Sequence, residues 1–182
     1  MILFIQGAPG VGKTTLAHSL LEHFRDSVVI EVDHIRQALP ENDWTDDWQH
    51  TEAIQQALVG ALERQGRDLV MLVDTFYQGK IVAPVDVMKE EGVTHRVVSL
   101  VANREALQAR MARMDRRDHG FTDIDAAVEV NADIWEFRCD SEICIHTGDL
   151  DADQVFNMVA GMLERGFGLI PKTACLTSEA PE

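Results

Sequence analysis

A chain of 182 residues, 46% of them apolar, has the length of one domain and enough apolar surface to bury a core. Its 31 acidic and 16 basic side chains leave a formal charge of −15, a field that repels phosphate backbones and argues against general nucleic-acid or anionic-membrane binding. No apolar run reaches the length of a membrane span, no basic leader precedes Ile2, and Cys139, Cys144 and Cys175 lack metal spacing, so a cytoplasmic protein with reduced thiols is predicted.

The apolar run from Ile2 to Gln6 predicts a central parallel strand covered on both faces. It runs directly into Gly7-Ala8-Pro9-Gly10-Val11-Gly12-Lys13-Thr14, a complete G-x-x-x-x-G-K-T phosphate-binding loop. The glycines let the backbone curl into a nest of N–H groups, and the helix that follows points its positive end at the same place. Gly7, Ala8, Pro9, Gly10, Val11, Gly12, Lys13, Thr14 and Thr15 are therefore the expected nucleotide contacts. Lys13 is expected to reach the terminal phosphates, and the Thr14 hydroxyl to ligate magnesium.

From Thr14 to about Arg25, Leu16, Ala17, Leu20, Leu21 and Phe24 recur at helical spacing. Val28 to Val32 reads as a second strand, ending at Asp33 with His34, Ile35 and Arg36 behind it. Residues 40 to 50 hold four carboxylates and two tryptophans without an apolar period, which predicts a surface loop. Helical spacing resumes from Thr51 to Arg64, Leu69 to Val73 forms a third buried strand closed by Asp74 and Thr75, and a short helix is expected over Val85 to Glu91.

His95 to Val101 is the fourth strand, and Asn103 is placed to cap the helix that carries Leu107, Arg110, Met111 and Met114. Six of the twelve arginines fall between Arg96 and Arg117. A helix through Ala127, Val130 and Ile134, a fifth strand over Glu142 to His146 and a last helix over Asp151 to Arg165 complete a domain of residues 1–165, followed by a loosely held tail over 166–182. Strands alternating with helices mean an α/β fold with a parallel sheet, and ligands bind such sheets at the carboxyl ends of the strands, where Gly7, Asp33 and Asp74 fall.

With Gly7 to Thr15, the Asp33-His34-Ile35-Arg36 element, Asp74 and the segment from Arg110 to Arg117, the chain resembles the small P-loop kinases of the nucleoside-monophosphate-kinase type. Within them it is most similar to chloramphenicol phosphotransferase, the kinase part of polynucleotide kinase, and gluconate- and shikimate-kinase-like enzymes. The resemblance implies a P-loop NTPase fold with five parallel strands, helices on both faces and a small arginine-rich lid over about residues 110–122. It implies ATP and Mg2+ as cofactors and a small-molecule hydroxyl as acceptor.

In the families it resembles, the aspartate after the second strand orients the acceptor hydroxyl and takes its proton, and Asp33 matches it. Arg36 would bind an anionic or hydroxyl-bearing part of the acceptor. Asp74 is expected to hold magnesium, directly or through water, as the carboxylate P-loop proteins place at that strand end does, and Thr75 to line the acceptor pocket. Arg113 and Arg117 share a face and are the arginines expected on the transferring phosphoryl group. Thr147, Gly148 and Asp149 match the position where related kinases hold adenine. Two rival readings stand beside this one: a 5′-hydroxyl nucleic-acid kinase, disfavoured by the negative charge, and a nucleotide-binding regulatory module without acceptor-dependent turnover.

Overall fold

The computed structural model describes residues 1–37, 54, 57–58, 60–62, 64–75, 94–113, 123–136 and 142–169. In chain order its elements are β1 (Ile2–Gly7), α1 (Lys13–His23), β2 (Ser27–Glu31), α2 (Val32–Gln37), β3 (Leu69–Asp74), β4 (His95–Val101), α3 (Arg104–Met111), α4 (Ile124–Glu136), β5 (Ile143–His146) and α5 (Ala152–Phe167). Ile54, Ala57, Leu58, Gly60, Ala61, Leu62 and Arg64 are helical, within the span expected for a helix between β2 and β3.

The strands form one parallel sheet in the order β2-β3-β1-β4-β5. All six residues of β1 and all six of β3 are buried, which is why both strands are apolar without alternation. On one face Leu3 and Ile5 pack with Leu16 and Leu20 of α1, Leu107 of α3, Ile134 of α4 and Leu163 of α5. On the other, Ile2 and Phe4 pack with Ile30, Val70, Leu72 and Val97, joined by Ile35 of α2 and Leu62. Helices therefore cover both faces, as the sequence predicts.

Local signals set the ends of several elements. The Asn103 side chain accepts from Ala106 N at 2.9 Å and starts α3. Asp151 and Gln154 form a reciprocal capping box at the start of α5, and Gly168 closes that helix in the left-handed region. A side-chain cap of this kind contributes about 1 kcal/mol.

Two boundaries differ from the sequence reading. β2 stops at Glu31, because Val32 turns inward with 0% exposure and begins α2, which carries Asp33 into the first helical turn. α5 runs on to Phe167, two residues past the expected Arg165, because a left-handed glycine closes it only at 168. The loop expected at 40–50, the helix expected at 85–91 and residues 170–182 lie outside the described residues. Among the described residues no helix is long and apolar enough to cross a membrane.

Phe4 is fully buried in the central strand and fills the smaller of the two core clusters. Phe4→Ala is expected to destabilise the protein by about 3–5 kcal/mol, read as a lowered midpoint in urea with an unchanged slope.

Candidate active site

The register of the sheet brings the polar ends of the strands together. Gln6 of β1 lies opposite Asp74 of β3 on one side and Ser99 of β4 on the other, and Glu31 of β2 lies opposite Val73. Chain direction is the same in every strand, so these residues mark a single carboxyl edge.

At that edge β1 turns into the loop before α1. A Cβ on Gly7 would lie 2.5 Å from Val11 Cγ2 and 2.6 Å from Leu100 O, so the backbone passes β4 at a distance only glycine permits. Gly12, the residue before α1, has φ 102° and gives no side-chain cap. Neither a capping side chain nor a first-turn acid answers the N-terminus of α1. Those N–H groups and the positive end of the helix are thus left for an anion.

Lys13, the first residue of α1, turns back and donates to Gly7 O at 2.8 Å and Ala8 O at 3.1 Å. The residue as a whole is half-buried, but its ammonium is enclosed, and burial pulls the pKa from 10.5 down to about 8. The nearby carboxylates of Asp74, Asp33 and Glu31 oppose that fall. The register sets Asp74 opposite Gln6, the residue before the loop, while Asp33 lies in the first turn of α2, two residues past the end of β2.

The remaining predicted residues are placed less evenly. Thr14 is exposed, and its hydroxyl donates to Glu31 Oε2 at 3.3 Å. Thr15 is exposed on α1, and Asp33 is exposed on α2. Asp74 is buried, and its Oδ1 accepts from Thr75 N at 2.7 Å, so the carboxylate also fixes the turn that leaves β3. Arg36 belongs to α2 by its backbone, and its side chain lies outside the described residues. Arg113 is exposed in the turn after α3, with its N–H donating to Arg110 O at 3.0 Å. Arg117 lies outside the described residues.

Arg110 is bound at the root of the predicted lid. Its Nη1 donates to Thr147 Oγ1 at 2.8 Å and Nη2 to Thr147 O, and Nη1 approaches Val11 O at 3.5 Å. The buried Thr147 hydroxyl lies 3.3 Å from both Val11 O and Val101 O. A Cβ on Gly10 would sit 3.0 Å from Met111 Cγ. The end of α3, the start of the loop after β5 and the phosphate loop are therefore stitched together.

Sequence reasoning missed three features. Glu31 closes an otherwise apolar strand, a carboxylate at a strand end that periodicity alone leaves unexplained. Gln6, 4% exposed, gives its amide N–H groups to Ser99 Oγ at 2.6 Å and Glu142 Oε1 at 2.8 Å. The pairing of Arg110 with Thr147 joins positions 37 residues apart and leaves no local pattern.

The residues present fit a magnesium ion. The Thr14 hydroxyl and the Asp74 carboxylate are hard oxygen donors at the carboxyl edge, and since among the described residues no group of three or more histidine, cysteine or acidic residues is placed to hold a metal by itself, a magnesium ion here would share its ligands with nucleotide phosphates.

Sheet order, glycine loop and an enclosed lysine define a P-loop protein with the architecture of the small kinases. The chain belongs to the family described as AAA domain, whose model matches residues 2–136. Solved structures share the fold over nearly the whole chain. The Deinococcus radiodurans tunicamycin resistance protein is 22% identical with a TM-score of 0.67, covering 93% of this chain and 98% of that one. A sugar kinase from Janibacter sp. HTCC2649 is 17% identical with a TM-score of 0.65, covering 90% and 94%. A chain of the Pnkp1/Rnl/Hen1 RNA repair complex is 17% identical with a TM-score of 0.64, covering 78% of this chain and 46% of that one. No curated protein matches this chain in sequence.

The lowered pKa of Lys13 ties the binding of a polyanion to pH. A polyanion bound at the loop raises the ammonium's pKa, so its contribution to affinity is complete below about 8 and is lost as pH rises through that value. ATP affinity, measured by calorimetry, is expected to fall by up to about tenfold per pH unit above pH 8, the slope of a one-proton linkage. Lys13→Met binds more weakly and removes the pH dependence over the same range.

Proposed function

We propose that this protein is an ATP- and magnesium-dependent phosphotransferase that moves the γ-phosphoryl group to a hydroxyl of a small molecule. The observation that carries this reading is the glycine loop at the carboxyl edge of the sheet with Lys13 folded onto Gly7 O and Ala8 O and Asp74 on the neighbouring strand end, in a fold shared with a sugar kinase.

Phosphoryl transfer asks a protein for positioning and charge stabilisation more than for covalent chemistry. Lys13 and the N-terminus of α1 hold the donor phosphates, and Lys13 exchanges its bonds to Gly7 O and Ala8 O for phosphate oxygens. Thr14 and Asp74 would hold the magnesium, which when bound neutralises charge on the phosphates. Asp33, exposed in the first turn of α2, accepts the acceptor's O–H and takes its proton as the oxygen bonds to phosphorus and ADP departs. Arg36 and Thr75 would bind the acceptor, and Arg113 and Arg117 would stabilise the transferring phosphoryl group.

A formal charge of −15 favours a small acceptor over a nucleic-acid end. The likeness to a sugar kinase supports the same reading, while the likeness to a chain of an RNA repair complex keeps a nucleic-acid hydroxyl as the second one.

Asp33→Asn is expected to keep ATP affinity within about twofold and to slow transfer by roughly 10²–10⁴-fold, the range for loss of a general base. Single-turnover transfer from labelled ATP reads the second number and calorimetry the first. Near-normal transfer in this variant would remove Asp33 from the base role.

A further inference from the structure

Glu31 is the last residue of β2, and its carboxylate lies on the side of the sheet that α1 covers. Its two oxygens have different partners. Oε2 accepts from Thr14 Oγ1 at 3.3 Å, and Oε1 pairs with His18 Nε2 at 3.0 Å. Thr14 and His18 are four residues apart on α1 and so share one face of the helix. The Glu31 side chain is only one-fifth exposed, and its charge also bears on Lys13.

A hydroxyl has one hydrogen and two lone pairs. When such an oxygen binds a cation, the group that accepts its hydrogen decides which lone pair faces the metal, and removing an orienting partner of this kind commonly costs 10–100-fold in metal affinity. Asp74 sits at the neighbouring strand end, but its Oδ1 accepts from Thr75 N. The acceptor for the Thr14 hydroxyl is Glu31.

We propose that Glu31, braced by His18, is a positioning residue that aims a lone pair of Thr14 at the magnesium of a bound nucleotide. This rests on the reading of the loop as a magnesium–nucleotide site. The strand supplies a fixed carboxylate, the helix supplies the hydroxyl and the imidazole that hold it from two sides, and the metal's ligand is oriented before metal arrives. His18 keeps the carboxylate from swinging toward Lys13, where it would compete with phosphate.

The test is binding of a fluorescent ADP analogue to the full chain, in EDTA and with magnesium titrated in, for the unaltered protein and for Glu31→Ala, Glu31→Gln, His18→Ala and the Glu31→Ala/His18→Ala pair, each also melted. Glu31→Ala is expected to hold or raise affinity in EDTA, since a negative charge leaves the loop. It should shift the magnesium midpoint upward by about tenfold or more. Glu31→Gln keeps an acceptor oxygen within reach and should restore most of the midpoint. His18→Ala should give a smaller shift, and the double variant should be no worse than Glu31→Ala alone.

An unshifted magnesium midpoint in a Glu31→Ala protein that melts normally would overturn the proposal. So would equal losses in Glu31→Ala and Glu31→Gln that follow a lowered melting temperature, because a plain tie between strand and helix predicts that pattern. Absence of nucleotide binding by the unaltered protein in both conditions would instead overturn the reading of the loop.

Discussion

An enclosed ammonium has lost much of its hydration and must be held by other charges and dipoles. Lys13 is in that position. The carbonyls of Gly7 and Ala8 accept its hydrogen bonds, and the charges of Asp74, Asp33 and Glu31 oppose the cost of its burial. Much of the surrounding structure serves to make this arrangement possible. β1 must be central and fully buried for its last residue to enter the loop beside β4, and Gly7 must lack a side chain for the chain to pass Leu100. A polyanion arriving at the loop meets an ammonium held beside it on two carbonyls and a helix N-terminus that no side chain has capped.

The loop is held from behind as firmly as it is shaped from within. Arg110 and Thr147 clamp the end of α3 to the start of the loop after β5, and both reach Val11 O. Movement of the end of α3 would therefore be felt at the phosphate loop through a few hydrogen bonds. On the opposite face Gln6 spends both amide hydrogens on Ser99 and Glu142, joining β1, β4 and the entry to β5 at the level of the site. Buried polar groups satisfied in this way fix one arrangement of the strands, because any slip leaves them unpaired.

The fold was readable because its signals are local and periodic. β1, the phosphate loop and α1 announce themselves by an apolar run, spaced glycines and a 3.6-residue stripe, and β3 and β4 by runs of branched apolar residues. The caps at Asn103 and Asp151 follow from side-chain chemistry within three residues. What depends on distant pairings was not readable. Val32 looks like strand, but it is drawn into the core at the start of α2, which sets where Asp33 projects. Glu31 gains meaning only when α1 is folded over β2, and Arg110 only when β5 brings Thr147 beside it. The motif and the alternation of strands with helices therefore announced the loop and the sheet edge it stands on, while the contacts that hold these parts in place emerged only from packing.

The account turns on acceptor-dependent transfer, and one measurement addresses it most directly. It is ADP release by the full chain with ATP and magnesium, across a panel of neutral polyols, aminosugars, nucleosides and a 5′-hydroxyl oligonucleotide. The account predicts that one class of small hydroxyl compound raises release well above basal hydrolysis, with one phosphorylated product formed per ADP. Uniformly basal release in a protein that binds ATP, or stimulation by the oligonucleotide alone, would contradict it.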